Sequence, residues 1–117
     1  MKLKECYQKM NGDYDDIMAR LPREASIIKY LRKFAENQEF QDMLCAAVEK
    51  DYQKVFELSH DLKGMAANLS ITTLQGYVSE ICEQTRNKVP DSGFDELLQK
   101  AKEEYDIVIE AINQLED

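Results

Sequence analysis

The sequence has 117 residues, of which 23 are acidic and 15 basic, giving a formal net charge of −8 at pH 7. This length suits a single domain, 1–117, and 44% hydrophobic residues are enough to build one core. Because the basic residues form no dense cluster, we expect no nucleic-acid partner. No stretch approaches the roughly 20 apolar residues that cross a bilayer, and no secretion signal is recognisable, which predicts a cytoplasmic protein without a membrane partner.

The three cysteines, Cys6, Cys45 and Cys82, are widely spaced among residues with helical periodicity. An odd number in such positions predicts buried, reduced thiols rather than a disulfide framework. With one histidine and no paired cysteine spacing, the sequence predicts no metal site. It also lacks a glycine-rich phosphate loop, so we expect no cofactor, neither ATP nor Mg²⁺.

The apolar pattern of the first 21 residues predicts two short helices that form an N-terminal extension. Apolar residues recur at helical spacing from residue 2 to 10, and Asn11-Gly12 then supplies a stop signal. A second short stripe begins at Tyr14 and ends at Leu21.

The pattern of apolar residues in 22–117 predicts the main helices of the fold. Pro22 suits the first turn of a helix that continues to about Asn37, and a further apolar stripe covers residues 40–47. Because helical periodicity persists on both sides of Asn37, a bend and a break are both compatible with it, and we predict a break. The most informative amphipathic segment follows at about 51–69.

Two more helices are predicted after a tight turn at Ser70, which is a suitable N-cap for the first of them. Residues 88–93 form the clearest loop, and Asp91 or Ser92 can cap the final helix. The apolar stripe of that helix, 94–115, lasts about six turns.

Short connections between helices of similar length favour antiparallel neighbours, and no segment shows the two-residue alternation of a sheet. We therefore predict an all-α fold. Its core would be an antiparallel up-down four-helix bundle, residues 22–117, with the helical extension of residues 1–21 laid against it.

His60, the only histidine, lies in the middle of the 51–69 helix. A helix advances about 100° per residue, which places His60 roughly 160° from the apolar stripe centred on Leu62. Helical histidines are often satisfied core residues, but this phase predicts an imidazole that faces solvent. Gly64 lies on the same face, although glycine costs about 1 kcal/mol in a helix interior relative to alanine. Open space beside an imidazole, with the positive charge of Lys63 nearby, suits a docking site for phosphate chemistry.

The exposed face around His60 predicts a modest partner-binding surface. Its expected members are Gln53, Phe56, Ala67, Gln75 and Ser79. Phe56 lies about 120° from the centre of the apolar stripe, so it could instead fold partly under a neighbouring helix. Asp61 and Glu57 are interpreted as solvated charges rather than catalysts.

The run from His60 to Ser70, HDLKGMAANLS, resembles the signature helix of histidine-containing phosphotransfer (HPt) domains of two-component phosphorelays. The similarity extends from about residue 24 to about 115, and the preceding residues resemble the N-terminus of small stand-alone bacterial members. The residues that carry the resemblance are His60, Leu62, Lys63, Gly64, Ala66, Ala67, Asn68, Leu69 and Leu74.

This resemblance implies a phosphorelay intermediate without a kinase domain of its own, and therefore not an enzyme. His60 would accept a phosphoryl group from a receiver-domain aspartyl phosphate and pass it to another receiver. Lys63 would neutralise charge on the phosphoryl oxygens, and Gly64 would admit the receiver's loops. The implied partners are receiver domains of response regulators or hybrid histidine kinases, which would dock on a monomer and bring the metal and acidic pocket.

Two positions depart from the family's pattern. Ser70 stands where many members have a glycine between the signature helix and its successor, and we expect little harm because serine can cap a helix. Cys82 stands where some members place a glutamine beside the imidazole, with Ser79 and Glu83 nearby. The group that orients the imidazole is therefore open.

Two other classes of protein remain as alternatives. A helical adaptor could use the same bundle to dock receiver or kinase domains without being phosphorylated, although Lys63 and Gly64 argue against it. A histidine kinase dimerisation domain also presents a histidine on a helical bundle. Asp61 superficially fits that class, but the Leu62-Lys63-Gly64 run does not.

Overall fold

The computed structural model describes residues 1–116, and within them it contains seven helices and no strand, which confirms the all-α prediction. In chain order the helices are α1 Leu3–Lys9, α2 Tyr14–Arg20, α3 Glu24–Glu36, α4 Glu39–Val48, α5 Tyr52–Asn68, α6 Thr72–Thr85 and α7 Phe94–Asn113. Over the same residues, no helix combines the length and the apolar character that crossing a bilayer requires.

The predicted four-helix bundle consists of α4, α5, α6 and α7. Successive members are antiparallel neighbours, because α5 packs against both α4 and α6, and α6 packs against α7. The Phe40 ring on α4 stacks on the Tyr105 ring on α7, with centroids 4.1 Å apart, and this contact closes the bundle. Phe34, near the end of α3, lies 6.3 Å from the same tyrosine ring, so α3 extends the packing along α7.

The core receives side chains from every helix, including the two in the N-terminal extension. Its largest fully buried members are Tyr7, Phe40, Met10, Ile17, Ile27, Leu31, Met43, Ile71, Leu74, Ile81, Val55 and Val78. Each large apolar side chain removed from water stabilises the fold by about 1.5–3 kcal/mol before entropy is counted. Since Tyr7, Met10 and Ile17 belong to this set, the extension is part of the core.

The predicted break near Asn37 is confirmed. Asn37 has extended backbone angles, φ −72° and ψ 136°, so α3 ends at Glu36. The Asn37 side-chain oxygen then accepts a 2.7 Å hydrogen bond from the backbone N–H of Glu39, the first residue of α4. The start of α3 differs from the prediction: Pro22 precedes the helix, whose N-cap is Arg23.

The N-terminal extension is fastened to the turn between α5 and α6. The Tyr7 hydroxyl donates a 2.7 Å hydrogen bond to the Leu69 carbonyl, and the Asp13 N–H donates a 2.9 Å bond to the Ser70 carbonyl. Between them lies Gly12, where a Cβ atom would approach the Ser70 carbonyl oxygen to 2.8 Å. Glycine is therefore required here for close approach of two backbone segments.

The prediction that Ser70 caps α6 is wrong, because the N-cap of that helix is Ile71. Ser70 instead lies just beyond the end of α5 with φ 56°, in the left-handed region. Its N–H donates to the Ala67 carbonyl, and the Ile71 N–H donates to the Ala66 carbonyl, which closes the open end of α5. This backbone requirement gives a physical reason why glycine suits the position.

The Ser70 hydroxyl is used by α2. It donates a 2.6 Å hydrogen bond to an Asp16 carboxylate oxygen, while Arg20 Nη2 donates a 2.5 Å bond to Ser70 Oγ. The hydrogen bond from Ser70 lowers the pKa of Asp16, and Arg20 lowers it further. Ser70 therefore does not cap α6, and its hydroxyl instead connects α2 to the α5–α6 turn.

The predicted cap of α7 is also wrong. The N-cap is Gly93, without a side-chain hydrogen bond, and neither Asp91 nor Ser92 caps the helix. The Asp91 carboxylate accepts a 3.0 Å hydrogen bond from the Gly93 N–H and so stabilises the preceding turn.

The thiols differ from one another. Cys6 and Cys82 are buried, as predicted, whereas Cys45 is exposed on α4, so the expectation of three buried thiols is wrong for Cys45. Burial raises the pKa of the Cys6 thiol to about 11, which keeps it in the unreactive protonated form.

Candidate functional site

Helix α5 orients the candidate site, and its bounds agree with the predicted 51–69 segment to within one residue at each end. The helix begins where the Asp51 carboxylate accepts a 3.2 Å hydrogen bond from the Lys54 N–H. Its buried residues recur every three or four positions, at Val55, Ser59, Leu62 and Ala66. This periodicity fixes one face in the core and turns the opposite face to solvent.

His60 is exposed, as its helical phase predicted. Its nearest aromatic neighbour is Phe56, one turn earlier on α5, whose ring centroid lies 6.0 Å away at an interplanar angle of 42°. An exposed imidazole beside one aromatic ring keeps at least one edge accessible to a second molecule.

The next turn of α5 leaves an opening beside the histidine. Gly64 is exposed, and a Cβ atom built on it would meet no atom of the chain within 4 Å. Lys63 is half-buried, on the side of α5 that faces α6. Because nothing in the chain's own packing requires glycine at position 64, the open space serves no purpose in the fold.

Phe56 joins the histidine to the neighbouring helix. Phe56 is half-buried, and the guanidinium carbon of Arg86 lies 4.9 Å from its ring centroid, within the range of a cation–π contact. Arg86 Nη2 also pairs with Glu83 Oε1 at 3.1 Å. Phe56 therefore meets both expectations, since its ring borders His60 and also packs against the end of α6.

Basic side chains gather around Glu83 at this end of the site. Hydrogen bonds from Arg86 lower the pKa of the Glu83 carboxyl, and the charges of Arg86, Lys63 and Lys88 lower it further. In return Glu83 raises the pKa of Arg86. Lys63, Arg86 and Lys88 thus lie close enough to Glu83 to act on its charge at this end of the site.

The sequence interpretation did not include Arg86. The spacing of Glu83 and Arg86 indicates an ion pair within one helix, and this signal was available. The contact of Arg86 with Phe56 joins residues 30 positions apart in the chain, and helical periodicity contains no information about it.

The other four predicted docking residues are distributed around this centre. Gln53 is exposed and donates a 3.2 Å hydrogen bond to Glu57 within α5. Ala67, Gln75 and Ser79 are half-buried on α5 and α6. Within residues 1–116, none of these four makes a hydrogen bond to His60, so their joint role stays a prediction.

Cys82 does not lie on the exposed surface that carries the histidine. It is completely buried, with 0% of its surface accessible, so its thiol is not part of the surface that surrounds the imidazole. The two residues predicted near it differ in exposure, because Ser79 is half-buried and Glu83 is exposed.

Asp61 interacts with α4 as well as with solvent. Burial raises the pKa of the Glu39 carboxyl, and a hydrogen bond from Asn37 opposes this rise. The negative charge of Asp61 and a hydrogen bond with Asp61 raise the pKa further. In addition, Glu39 Oε2 is buried without a hydrogen-bond partner among the described residues. The residue after His60 is therefore paired with a carboxyl group that resists ionisation.

Metal-ligating side chains are not grouped in the described part of the chain. Across residues 1–116, no three His, Cys, Asp or Glu side chains lie close enough to hold a metal ion.

The family model described as Hpt domain matches residues 30–116, about three quarters of the 117 residues. No curated protein and no solved structure matches the chain. The match includes all four helices of the bundle together with the exposed histidine, and it begins within α3. On this ground the chain belongs to the Hpt domain family.

Proposed function

We propose that this protein is a phosphorelay intermediate, in which His60 accepts a phosphoryl group from an aspartyl phosphate of one receiver domain and passes it to another. Hpt domains are phosphocarriers of two-component systems that lack a kinase or ATP-binding domain of their own. The observation that carries the proposal is the exposed imidazole of His60 beside the open position of Gly64.

The chemistry needs one nucleophile from this chain. A neutral imidazole nitrogen uses its lone pair to form the N–P bond, while the P–O bond to the aspartyl carboxylate breaks and the carboxylate leaves with the bonding electrons. The other ring nitrogen keeps its proton during this step. Transfer to the next receiver is the reverse reaction with a new carboxylate, so the imidazole is regenerated.

Lys63 and Gly64 assist in different ways. The ammonium group of Lys63 follows His60 by three residues, close to one helical turn, and can neutralise charge on the phosphoryl oxygens as the transition state forms. The missing side chain of Gly64 lets the receiver's backbone approach the imidazole closely, and its Cβ position is unobstructed within this chain.

The receiver would dock on the surface around His60. We assign to this surface Gln53, Phe56, Ala67, Gln75 and Ser79. The Phe56 ring supplies the apolar centre, and Arg86, which lies against that ring, adds a positive charge at its edge. Acidic pockets of receiver domains would meet these basic groups, and any metal ion would be held by the receiver.

The protein would act in the compartment where its receivers are found, which we take to be the cytoplasm, and as a monomer. The proposed site uses one copy of α5 and α6. This distinguishes it from a histidine kinase dimerisation domain, which completes its bundle from two chains.

The first experiment is intact-mass analysis after treatment with phosphoramidate. The native protein should gain one phosphoryl group that acid removes, because an N–P bond is acid-labile. His60→Gln should gain none while staying folded by circular dichroism. Since His60 is the only histidine, an acid-labile adduct on the variant would overturn the assignment.

A second measurement separates the proposal from a docking-only adaptor. The phosphorylated protein is mixed with receiver domains, and loss of its label to a receiver aspartate is followed over time. Transfer to at least one receiver is expected. Receivers that bind the folded protein while neither giving nor taking the phosphoryl group would favour the adaptor.

A further inference from the structure

A concave groove lies between α2, α3 and the C-terminal half of α5, away from the proposed phosphoacceptor. Its volume is about 450 Å³, and its walls come from three helices and the start of the α5–α6 turn. The residues that line it are Ile17, Arg20, Leu21, Tyr30, Lys33, Phe34, Asn37, Met65, Asn68 and Leu69. None of His60, Lys63 and Gly64 is among them, so the groove is separate from the site described above.

The floor of the groove is apolar. Ile17, Phe34 and Leu69 are buried core residues that line it, and Leu21 and Met65 add further apolar surface. At the rim, Tyr30 is 47% exposed. Concave apolar sites of about 300–1,000 Å³ with a few polar groups are typical of small-molecule binding.

The charged residues that line the groove are both basic. Among the lining residues within 1–116 there are two cations, Arg20 and Lys33, and no Asp or Glu, although the whole chain has a net charge of −8. Arg20 is already engaged, because its guanidinium pairs with Asp16 at 3.2 Å and bonds to Ser70. Lys33 has no ion-pair or hydrogen-bond partner in the described part of the chain, so its ammonium is available to a ligand.

We propose that this groove binds a small amphiphilic anion, with an aromatic or aliphatic body on the apolar floor and one acidic group at Lys33. Selectivity for an amphiphilic anion follows because the apolar floor and the Lys33 ammonium lie in the same groove. The floor gives an apolar body a place out of water, and the unpaired ammonium at the rim attracts a carboxylate, sulfonate or phosphate group. A neutral apolar molecule would use only the floor, and a polar anion only the rim.

The test compares two fluorescent probes that share one ring system. One is 8-anilinonaphthalene-1-sulfonate, and the other is N-phenyl-1-naphthylamine, which lacks the sulfonate. Each is titrated into the native protein at neutral pH, and amide shifts in a ¹H–¹⁵N spectrum locate the bound probe. We expect saturable binding of the sulfonate probe, tighter than that of the neutral probe, with shifts concentrated at Tyr30, Lys33 and Met65.

The variants test the charge. Lys33→Glu should weaken binding of the sulfonate probe by about five- to tenfold and leave the neutral probe nearly unchanged. The matched control is Lys29→Glu, which makes the same change on an exposed residue of α3 that does not line the groove, and it should change affinity by less than about twofold. Circular dichroism verifies that both variants stay folded.

Three results would overturn the proposal. The first is no saturable binding of the sulfonate probe up to the order of 1 mM, which corresponds to a negligible affinity. The second is equal affinity for the two probes, and the third is equal weakening by Lys33→Glu and Lys29→Glu. Because none of these measurements involves phosphoryl transfer, they are independent of the role of His60.

Discussion

Gly12 and Gly64 are both interpretable from the sequence as special positions, yet they have opposite surroundings. A Cβ atom at Gly12 would lie 2.8 Å from the Ser70 carbonyl oxygen and 2.9 Å from the Tyr7 ring, whereas at Gly64 it would meet nothing within 4 Å. The first glycine is required by this chain's own packing. The second is not, so no contact within the described residues offsets its cost in helix stability.

The two regions also differ in how they are held. Around Gly12, the N-terminal extension is fastened to the α5–α6 turn through Tyr7, Asp13 and Ser70. Around Gly64, side chains contact one another at the edge while the histidine itself stays exposed. One end of α5 is therefore held by contacts with the N-terminal extension, and the middle of its outer face is exposed to solvent.

The largest effect on stability is expected from Gly12→Ala. The added methyl would collide with a backbone oxygen that cannot move without disturbing the turn, so we expect a loss of about 2–3 kcal/mol in the free energy of unfolding. Urea denaturation measures it. Phosphorylation of His60 in the folded variant should stay near that of the native protein, and a selective loss of phosphorylation would contradict the separation of the two regions.

Lys63→Ala should act on the chemistry and leave the fold almost unchanged. Without the ammonium group, charge on the phosphoryl oxygens is less well stabilised, and we expect phosphoryl transfer to slow by about 10- to 100-fold. Rapid-quench transfer from a phosphorylated receiver measures the rate. Lys54→Ala, which removes an exposed lysine from the first turn of the same helix, is the control and should transfer at nearly the native rate.

Gly64→Ala should separate stability from function. Because the methyl meets no neighbour, the variant should gain about 1 kcal/mol in the free energy of unfolding from improved helix propensity. Receiver-dependent transfer should nevertheless slow by about tenfold, since the receiver could not approach as closely. Gly76→Ala on α6, where a Cβ atom also meets nothing, should give the same stabilisation without this loss.

If Gly64→Ala is more stable and still transfers the phosphoryl group at the native rate, the open space at Gly64 is not needed for the approach of the receiver. Small phosphodonors provide a further discrimination. Phosphoramidate needs less room than a receiver domain, so its reaction with Gly64→Ala should remain close to native.

Substitutions at Ser70 test the backbone strain at the fixed end of α5. Ser70→Gly and Ser70→Ala both lose the hydroxyl that bonds to Asp16 and Arg20, but only glycine adopts φ 56° without strain. The glycine variant should therefore be more stable than the alanine variant by about 1 kcal/mol, measured by urea denaturation. Equal stabilities would show that the left-handed geometry carries no measurable strain.

Helical periodicity was sufficient for most of the fold and for the exposure of His60. The bounds of α5 and the break at Asn37 both follow from residues close together in the chain. One wrong prediction and one missed contact concern side chains with distant partners, whereas the wrong cap of α7 concerns the neighbours Asp91 and Gly93. Ser70 looks like an N-cap locally, but it is bound by residues 50 and 54 positions away, and Arg86 contacts a ring on another helix. Such contacts depend on how helices pack, which periodicity does not encode.

Glu39→Gln should have the smallest effect on the free energy of unfolding, and this effect should depend on pH. Because the folded state raises the pKa of the Glu39 carboxyl above its ordinary value of 4.5, folding favours the protonated form. The stabilising contribution is complete below that ordinary pKa and is lost as pH rises through the raised value. At neutral pH the native protein keeps a partly buried charge beside Asp61, so glutamine should be more stable by about 0.5 kcal/mol.

The comparison is made by urea denaturation at about pH 4 and pH 7, with Glu36→Gln as the control on an exposed residue of α3. The advantage of Glu39→Gln should be absent at the lower pH and appear as pH rises. It should also shrink when Asp61→Asn is present, because removal of the neighbouring charge relieves part of the repulsion. An advantage independent of both pH and Asp61 would show that burial of the side chain, rather than its ionisation, governs this corner of α4 and α5.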